Sequence, residues 1–143
     1  MKLLVINGPN LNLLGIREPE IYGHKTYAEL EGYIKEICLL NGVECEIFQS
    51  NHEGELIDRI QEAYFSKTDA LIINPAAYTH TSIAIADAIK GVGIRCVEVH
   101  LSDISSREDY RKISYVSEAC EKTVAGKGFE GYKEAIEYFV KNR

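Results

Sequence analysis

"KLLVINGPN", residues 2–10, decides how the chain is laid out. Leu3 to Ile6 form a short unbroken apolar run, which suits a strand buried within a sheet. Gly8-Pro9 ends it, because proline has no amide hydrogen to give to a ladder. The pattern returns in "DALIIN" (69–74), stopped by Pro75, and in "IRCVEVH" (94–100). "VECEIFQ" (43–49) alternates and belongs nearer a sheet edge, while "CEKTVAG" (120–126) is a weaker fifth strand.

Helical patterns separate these strands. Thr26 opens one, and Glu29 three residues on completes a capping box. Tyr27, Leu30, Ile34, Ile37 and Cys38 give that helix its apolar face, and Asn41-Gly42 ends it. "EGELIDRIQEAYF" (53–65) repeats Ile57, Ile60 and Tyr64 at helical spacing, with Leu56 and Ala63 beside them. "THTSIAIADAIK" (79–90) is a predicted helix closed by Gly91, and "YKEAIEYFVK" (132–141) is the last. The polar stretch containing "SREDYRK" reads as loop with a helical turn.

Five strands alternating with helices predict an α/β fold with a doubly wound, five-stranded parallel sheet. For this size the expected strand order is the flavodoxin-like 2-1-3-4-5. Ligands then bind beyond the carboxyl ends of the strands, where the order reverses between the first and third. Asn7 to Asn10, Asn74 to His80 and Glu98 to Ser102 all fall at that edge.

At 143 residues the chain is expected to form a single catalytic domain, 1–143, with a sizeable core. Its 45% hydrophobic and 27% charged residues argue against disorder and against a fibrous repeat. The formal charge of -6 disfavours a nucleic-acid surface. No run approaches membrane-spanning length, and the first ten residues read as a strand rather than a signal peptide. Cys38, Cys45, Cys96 and Cys120 form no C-x-x-C pair and are expected as buried free thiols in a reducing cytoplasm.

Four other readings fail, one because its motif lacks the right context and the rest because their motifs are missing. "GKGFEG" (126–131) matches G-x-G-x-x-G, but only twelve residues follow Gly131, too few for the next strand and the ribose-binding acid. Its glycines are therefore turn residues. No G-x-x-x-x-G-K-[ST] occurs, and the first strand exits into Asn-Gly-Pro rather than the acidic pair of a phosphate receiver. His24, His52, His80 and His100 show neither H-x-H nor H-E-x-x-H spacing, so no metal site is expected. His24 and His52 are expected either on the surface or as supports behind the site, leaving His80 and His100 as the better candidates for direct chemistry.

Taken singly, these candidates have plain structural readings. His100 can be a core histidine, His80 a helix cap and Asn74 a strand-end turn. Together, Asn10, Asn74, His80 and His100 converge on one predicted crevice. The stretch "GIREPEIYG" (15–23) sets Arg17 and Tyr22 in a loop between two hinge-like glycines, placed to close over it.

Four blocks, "INGPNLNLLGIREPEIYG", "QSNHEGELID", "INPAAYTHTSIAIADAI" and "VEVHLSDISSREDYRKISY", resemble the signature blocks of type II 3-dehydroquinate dehydratase, in the same order and spacing. The resemblance implies a flavodoxin-like, cytoplasmic, cofactor-free and metal-free lyase that removes water from 3-dehydroquinate to give 3-dehydroshikimate. It implies that Tyr22 takes the proton beside the ketone, assisted by Arg17. Asn10, with a water, would support the developing enolate. His100 would protonate the departing hydroxyl, with Glu98 orienting it. Asn74, His80, Arg111, Leu101 and Ser102 would hold the substrate's carboxylate and hydroxyls, and Arg107 lies among them. Asp87 would reach the site from a neighbouring subunit of a homododecamer built from trimers. Ala76 stands where the family usually has Gly, Ala86 where a basic residue is common, and "DISS" replaces a stretch with Asn and His-Ala.

The physics of the loop agrees with those roles. A phenol ionises near pH ~10, so a base poised near pH ~7 needs about 4 kcal/mol of help. A cation at about 4 Å supplies only ~1 kcal/mol in open water, but about 4 kcal/mol at an effective dielectric near ~20. Arg17 can therefore activate Tyr22 only in a closed, water-poor site. The nearly all-round apolar helix 79–90 further predicts burial on a second side, as in an oligomer. Two rival readings remain: a flavodoxin-like binding or regulatory domain, and a dehydratase acting through a lysine Schiff base. The second needs a buried lysine, and Lys25, Lys67, Lys90 and Lys112 all lie near element ends.

Overall fold

Successive side chains of a strand face opposite sides of a sheet, so a strand that is apolar throughout needs cover on both faces. In the computed structural model, which describes residues 1–143 with every side chain but that of Tyr22, the first strand has that cover. Five parallel strands, β1 (Lys2–Asn7), β2 (Glu44–Gln49), β3 (Ala70–Asn74), β4 (Arg95–His100) and β5 (Lys122–Ala125), stand in the order β2-β1-β3-β4-β5. This is the flavodoxin-like order read from the sequence.

Five helices join them: α1 (Pro19–Tyr22), α2 (Tyr27–Leu40), α3 (Glu53–Phe65), α4 (Ile83–Val92) and α5 (Glu130–Lys141). On one face Leu3, Val5, Ile72, Val97 and Val99 pack against Leu30 and Ile34 of α2 and Ile136 and Phe139 of α5. On the other, Leu4, Ile6, Leu71 and Ile73 meet Leu56 and Ile60 of α3 and Ile85 and Ile89 of α4. The capping box of α2 is closed, with Thr26 Oγ1 accepting from Glu29 N at 3.2 Å and Thr26 N donating to Glu29 Oε2 at 3.0 Å. Among the described residues, no helix is long and apolar enough to cross a membrane.

The structure corrects several details. The helix expected over 79–90 begins at Ile83, because Ser82 Oγ accepts the Ile85 amide at 2.9 Å and caps it there. Thr79 and His80 belong to a preceding 3-10 turn, Ala76–His80, and α4 runs past Gly91 to Val92, with Gly93 left-handed behind it. In α3 the buried stripe is Leu56, Ile60 and Ala63, whereas Tyr64 is 60% exposed. Helix formation aimed the stripe about one residue off the spacing chosen from sequence. The four cysteines are free, but only Cys38 and Cys96 are buried; Cys45 and Cys120 are half-buried. The polar stretch after Gly15 contains the helical turn α1.

The strand ends nearest the reversal of order approach closely. The Gly8 amide donates to the Asn74 carbonyl at 2.8 Å, and a Cβ on Gly8 would lie 2.5 Å from the Pro75 carbonyl oxygen. Just beyond, Ala76 has φ +52°, in the left-handed region that favours glycine. This is the position where the related family usually has Gly. The two sites give opposite expectations in urea unfolding. Ala76→Gly should stabilise the fold by about 1 kcal/mol by relieving strain, and Gly8→Ala should cost about 2 kcal/mol by forcing two strand ends apart.

Candidate active site

The polar residues at the strand ends are held from below. Asn7 and Asn74 end β1 and β3 side by side, paired in register, and both are buried. Buried amides need partners, and α5 supplies one. The Tyr132 hydroxyl, fully buried, donates to Asn7 Oδ1 at 2.7 Å and accepts from Asn74 Nδ2 at 3.1 Å. Burial pushes the Tyr132 phenol up, and the Asn74 hydrogen bond only partly opposes this, so the hydroxyl keeps the proton it donates. Asn74 Oδ1 in turn accepts from the Ala76 amide at 3.1 Å. Both ends of its carboxamide are thus oriented, with one N–H left over.

Above this floor lies a cleft lined by Asn10, Arg17, Asn74, His80, His100, Leu101, Ser102, Arg107 and Arg111, together with apolar neighbours. Asn10 is set by a left-handed turn, φ +69°, and its amide donates to Asn51 Oδ1 at 3.0 Å. The carbonyls of Leu101 and Ser102 accept from Gly128 and Gly126 at 3.0 Å and 3.2 Å, which is the use the fold makes of the glycines in 126–131. His80 Nδ1 lies 2.7 Å from the Ile113 carbonyl, which can only accept. Nδ1 therefore carries a hydrogen, and a neutral His80 has Nε2 left as an acceptor.

No described residue lining the cleft is acidic, although the chain carries a net charge of -6. Three guanidinium groups, from Arg17, Arg107 and Arg111, face it instead. Arg111 Nε is braced by Glu108 Oε2 at 3.0 Å, and Arg17 NH2 lies 3.6 Å from Glu18 Oε2. Such a lining suits a small anion with a planar carboxylate.

Behind His100 sits a carboxylate with no exposure at all. Glu98 Oε1 is 3.0 Å from His100 Nε2 and 2.6 Å from Ser114 Oγ, and Oε2 accepts from Thr123 Oγ1 at 3.0 Å. The His100 nitrogen approaches out of line for a hydrogen bond and has no other partner among the described residues, so charge rather than directional bonding dominates that contact. Burial works against ionisation of Glu98. The His100, Ser114 and Thr123 interactions outweigh it and hold the carboxyl below its ordinary value.

Of the residues singled out in the sequence, Asn10, Arg17, Asn74, His80, His100, Leu101, Ser102, Arg107 and Arg111 are brought together at one cleft, and Glu98 lies beneath it. Tyr22 ends α1, and its side chain lies outside the described residues. Asp87 is not brought to this cleft. It lines a separate groove between α3 and α4, beside Tyr64 and Phe65. His24 and His52 are exposed. Sequence reasoning missed Tyr132, Ser114 and Thr123 as supports. The one available signal was register, since Thr123 stands opposite Glu98 in the β4–β5 ladder.

The depressed Glu98 value has a signed consequence. The folded state holds the Glu98 proton more weakly than the unfolded chain does. The stability the carboxylate contributes is therefore complete above the ordinary range near pH ~4.3 and is lost as pH falls through the lower folded value. Urea unfolding against pH should show wild-type stability falling more steeply below pH ~4 than that of Glu98→Gln.

A family model described as dehydroquinase class II matches residues 1–140. A 3-dehydroquinate dehydratase of Clostridium perfringens is 58% identical over 136 residues, covering 95% of this chain and 94% of that protein. A catabolic 3-dehydroquinase 2 of Neosartorya fischeri is 52% identical over 139 residues, covering 97% of this chain and 92% of its own length. Among solved structures, the type II dehydroquinase of Butyrivibrio crossotus superposes with a TM-score of 0.96 at 51% identity, covering 99% of this chain and 97% of that one. With a family model matched over residues 1–140 and relatives more than half identical over nearly its whole length, the chain belongs to the class II dehydroquinase family.

Proposed function

We propose that residues 1–143 act as a single catalytic domain that dehydrates 3-dehydroquinate to 3-dehydroshikimate, without cofactor or metal, by anti elimination through an enolate. The observation that carries this reading is the acid-free cleft at the strand-order reversal, where three arginines face a histidine backed by a buried carboxylate. The arginines suit the substrate carboxylate, and Arg111 is already braced to receive it. Asn74, His80, Leu101 and Ser102 surround the remaining space with donors and acceptors for hydroxyls.

In this reading Tyr22, as tyrosinate assisted by Arg17, removes the proton from the carbon beside the ketone. The bonding electrons move onto the ketone oxygen as an enolate, supported by Asn10 through a water. When the enolate collapses, the ketone re-forms, the double bond appears and the departing hydroxyl takes a proton from His100 to leave as water. Glu98 stabilises the charged imidazole that supplies it.

The assembly is read as a homododecamer of trimers in which Asp87 reaches a neighbour's cleft. Support comes from the groove of about 680 Å³ between α3 and α4, and from the exposure there of Tyr64 at 60% and Phe65 at 80%. Light scattering should find a twelve-chain particle, and a monomer at assay concentration would refute the assembly.

Purified protein with 3-dehydroquinate should generate the conjugated product, followed by its absorbance, and absence of turnover by folded protein would sink the reading. Activity should survive both EDTA and borohydride added with substrate, whereas a Schiff-base enzyme would be trapped. Tyr22→Phe should cut kcat by about 100- to 10,000-fold, the range for a general base, with substrate binding largely kept. Near-normal turnover would remove Tyr22 from that role.

A further inference from the structure

Glu98 and His100 are two residues apart on β4, so their side chains leave the same face of the sheet. Thr123 pairs with Glu98 across the ladder and shares that face. Its hydroxyl donates to Oε2, and Ser114 Oγ sits at Oε1. Ser114 Oγ also accepts from the Ser117 amide at 3.0 Å, which leaves its single hydrogen for the carboxylate. Neither hydroxyl residue lines the cleft.

Two donated hydrogens favour the carboxylate form of Glu98 and fix how it is turned. A carboxylate can only accept, and although His100 Nε2 approaches it out of line, an anion 3.0 Å away favours a hydrogen on that nitrogen over a lone pair. The other ring nitrogen, Nδ1, is left to exchange a proton with the cleft.

We propose that Thr123 and Ser114 are positioning residues for proton transfer, which hold Glu98 as an oriented carboxylate and so make Nδ1 the atom of His100 that protonates the departing hydroxyl. The inference rests on the reading of His100 as general acid. In the step, the C–O bond breaks with its electron pair going to oxygen. The Nδ1 proton completes a water molecule, and the imidazole is left neutral with its hydrogen on Nε2. If Glu98 is free to turn, the charged ring loses the anion that stabilises it, and the imidazole can settle as the other neutral tautomer, whose Nδ1 proton is far too weakly acidic to protonate the departing hydroxyl.

The test separates positioning from plain structural support. Thr123 is exposed on the last strand of the sheet, so Thr123→Val removes the hydroxyl with little disturbance of the core. That variant should lower kcat about tenfold, equivalent to one hydrogen bond to a charged group, while KM moves less than about twofold. Thr123→Ser should keep near-normal turnover. In a Glu98→Gln background the same Thr123→Val change should alter kcat by less than about twofold, because the residue acts only through Glu98. Nitrogen-15 NMR of His100 should show the neutral ring protonated at Nε2, with the other tautomer gaining population in the Ser114→Ala, Thr123→Val double variant. An equal loss in both backgrounds, unchanged kcat in Thr123→Val, or an Nδ1-protonated neutral ring in the wild type would overturn the proposal. The NMR measurement needs no turnover, so it stands even if the protein proves inactive on 3-dehydroquinate.

Discussion

One phenol ties the sheet together where its strand order reverses. Tyr132 reaches from α5 to Asn7 at the end of β1 and to Asn74 at the end of β3, donating to one and accepting from the other. Two asparagines buried at that depth would each cost free energy without partners. Because the hydroxyl serves both, the strands can end in polar side chains without a gap in the core. The close pass of Gly8 against Pro75 completes the join. Everything in the cleft is built on this floor: the carboxamide of Asn74 is turned by it, and the left-handed Ala76 follows from that turn.

The distribution of charge follows a second constraint. A chain with excess acid keeps its acidic side chains out of the cleft lining and places a single carboxylate, Glu98, underneath. Buried without partners, such a group would take up a proton. Hydroxyls on two sides and an imidazole on a third keep it ionised instead. A negative charge shut off from solvent then lies directly behind His100, while the arginines face the opening. The arrangement keeps an attractive field for an anion at the mouth and a proton-holding field at the back.

The sheet was legible because its strands are unmixed: Leu3 to Ile6 and Leu71 to Ile73 leave no ambiguity about burial. The capping box at Thr26 was equally local, since both partners lie within one turn. The start of α4 was not, because "THTS" offers several hydroxyls and only packing selects Ser82 as the cap. In α3, Tyr64 fits a helical repeat as well as Ala63 does, yet the space against α4 admits the smaller residue and leaves the ring outside. Asn10, Asn74, His80 and His100 could be placed because strand ends in a parallel sheet share an edge. The supports of the site could not, since Tyr132 lies 125 residues from Asn7 and Thr123 lies 25 from Glu98.

By itself the sequence determined the element types and the edge at which polar residues collect, and the rule of right-handed crossovers left only a few strand orders, of which the flavodoxin-like one suits this length. Those are consequences of periodicity and chain connectivity, which are local and written in order. Only the tertiary structure decided which nitrogen of His80 bears its hydrogen, which oxygen of Glu98 faces His100, and which hydroxyls hold that carboxylate ionised. Hydrogen-bond direction depends on partners brought together from distant parts of the chain, and no spacing along the sequence encodes it.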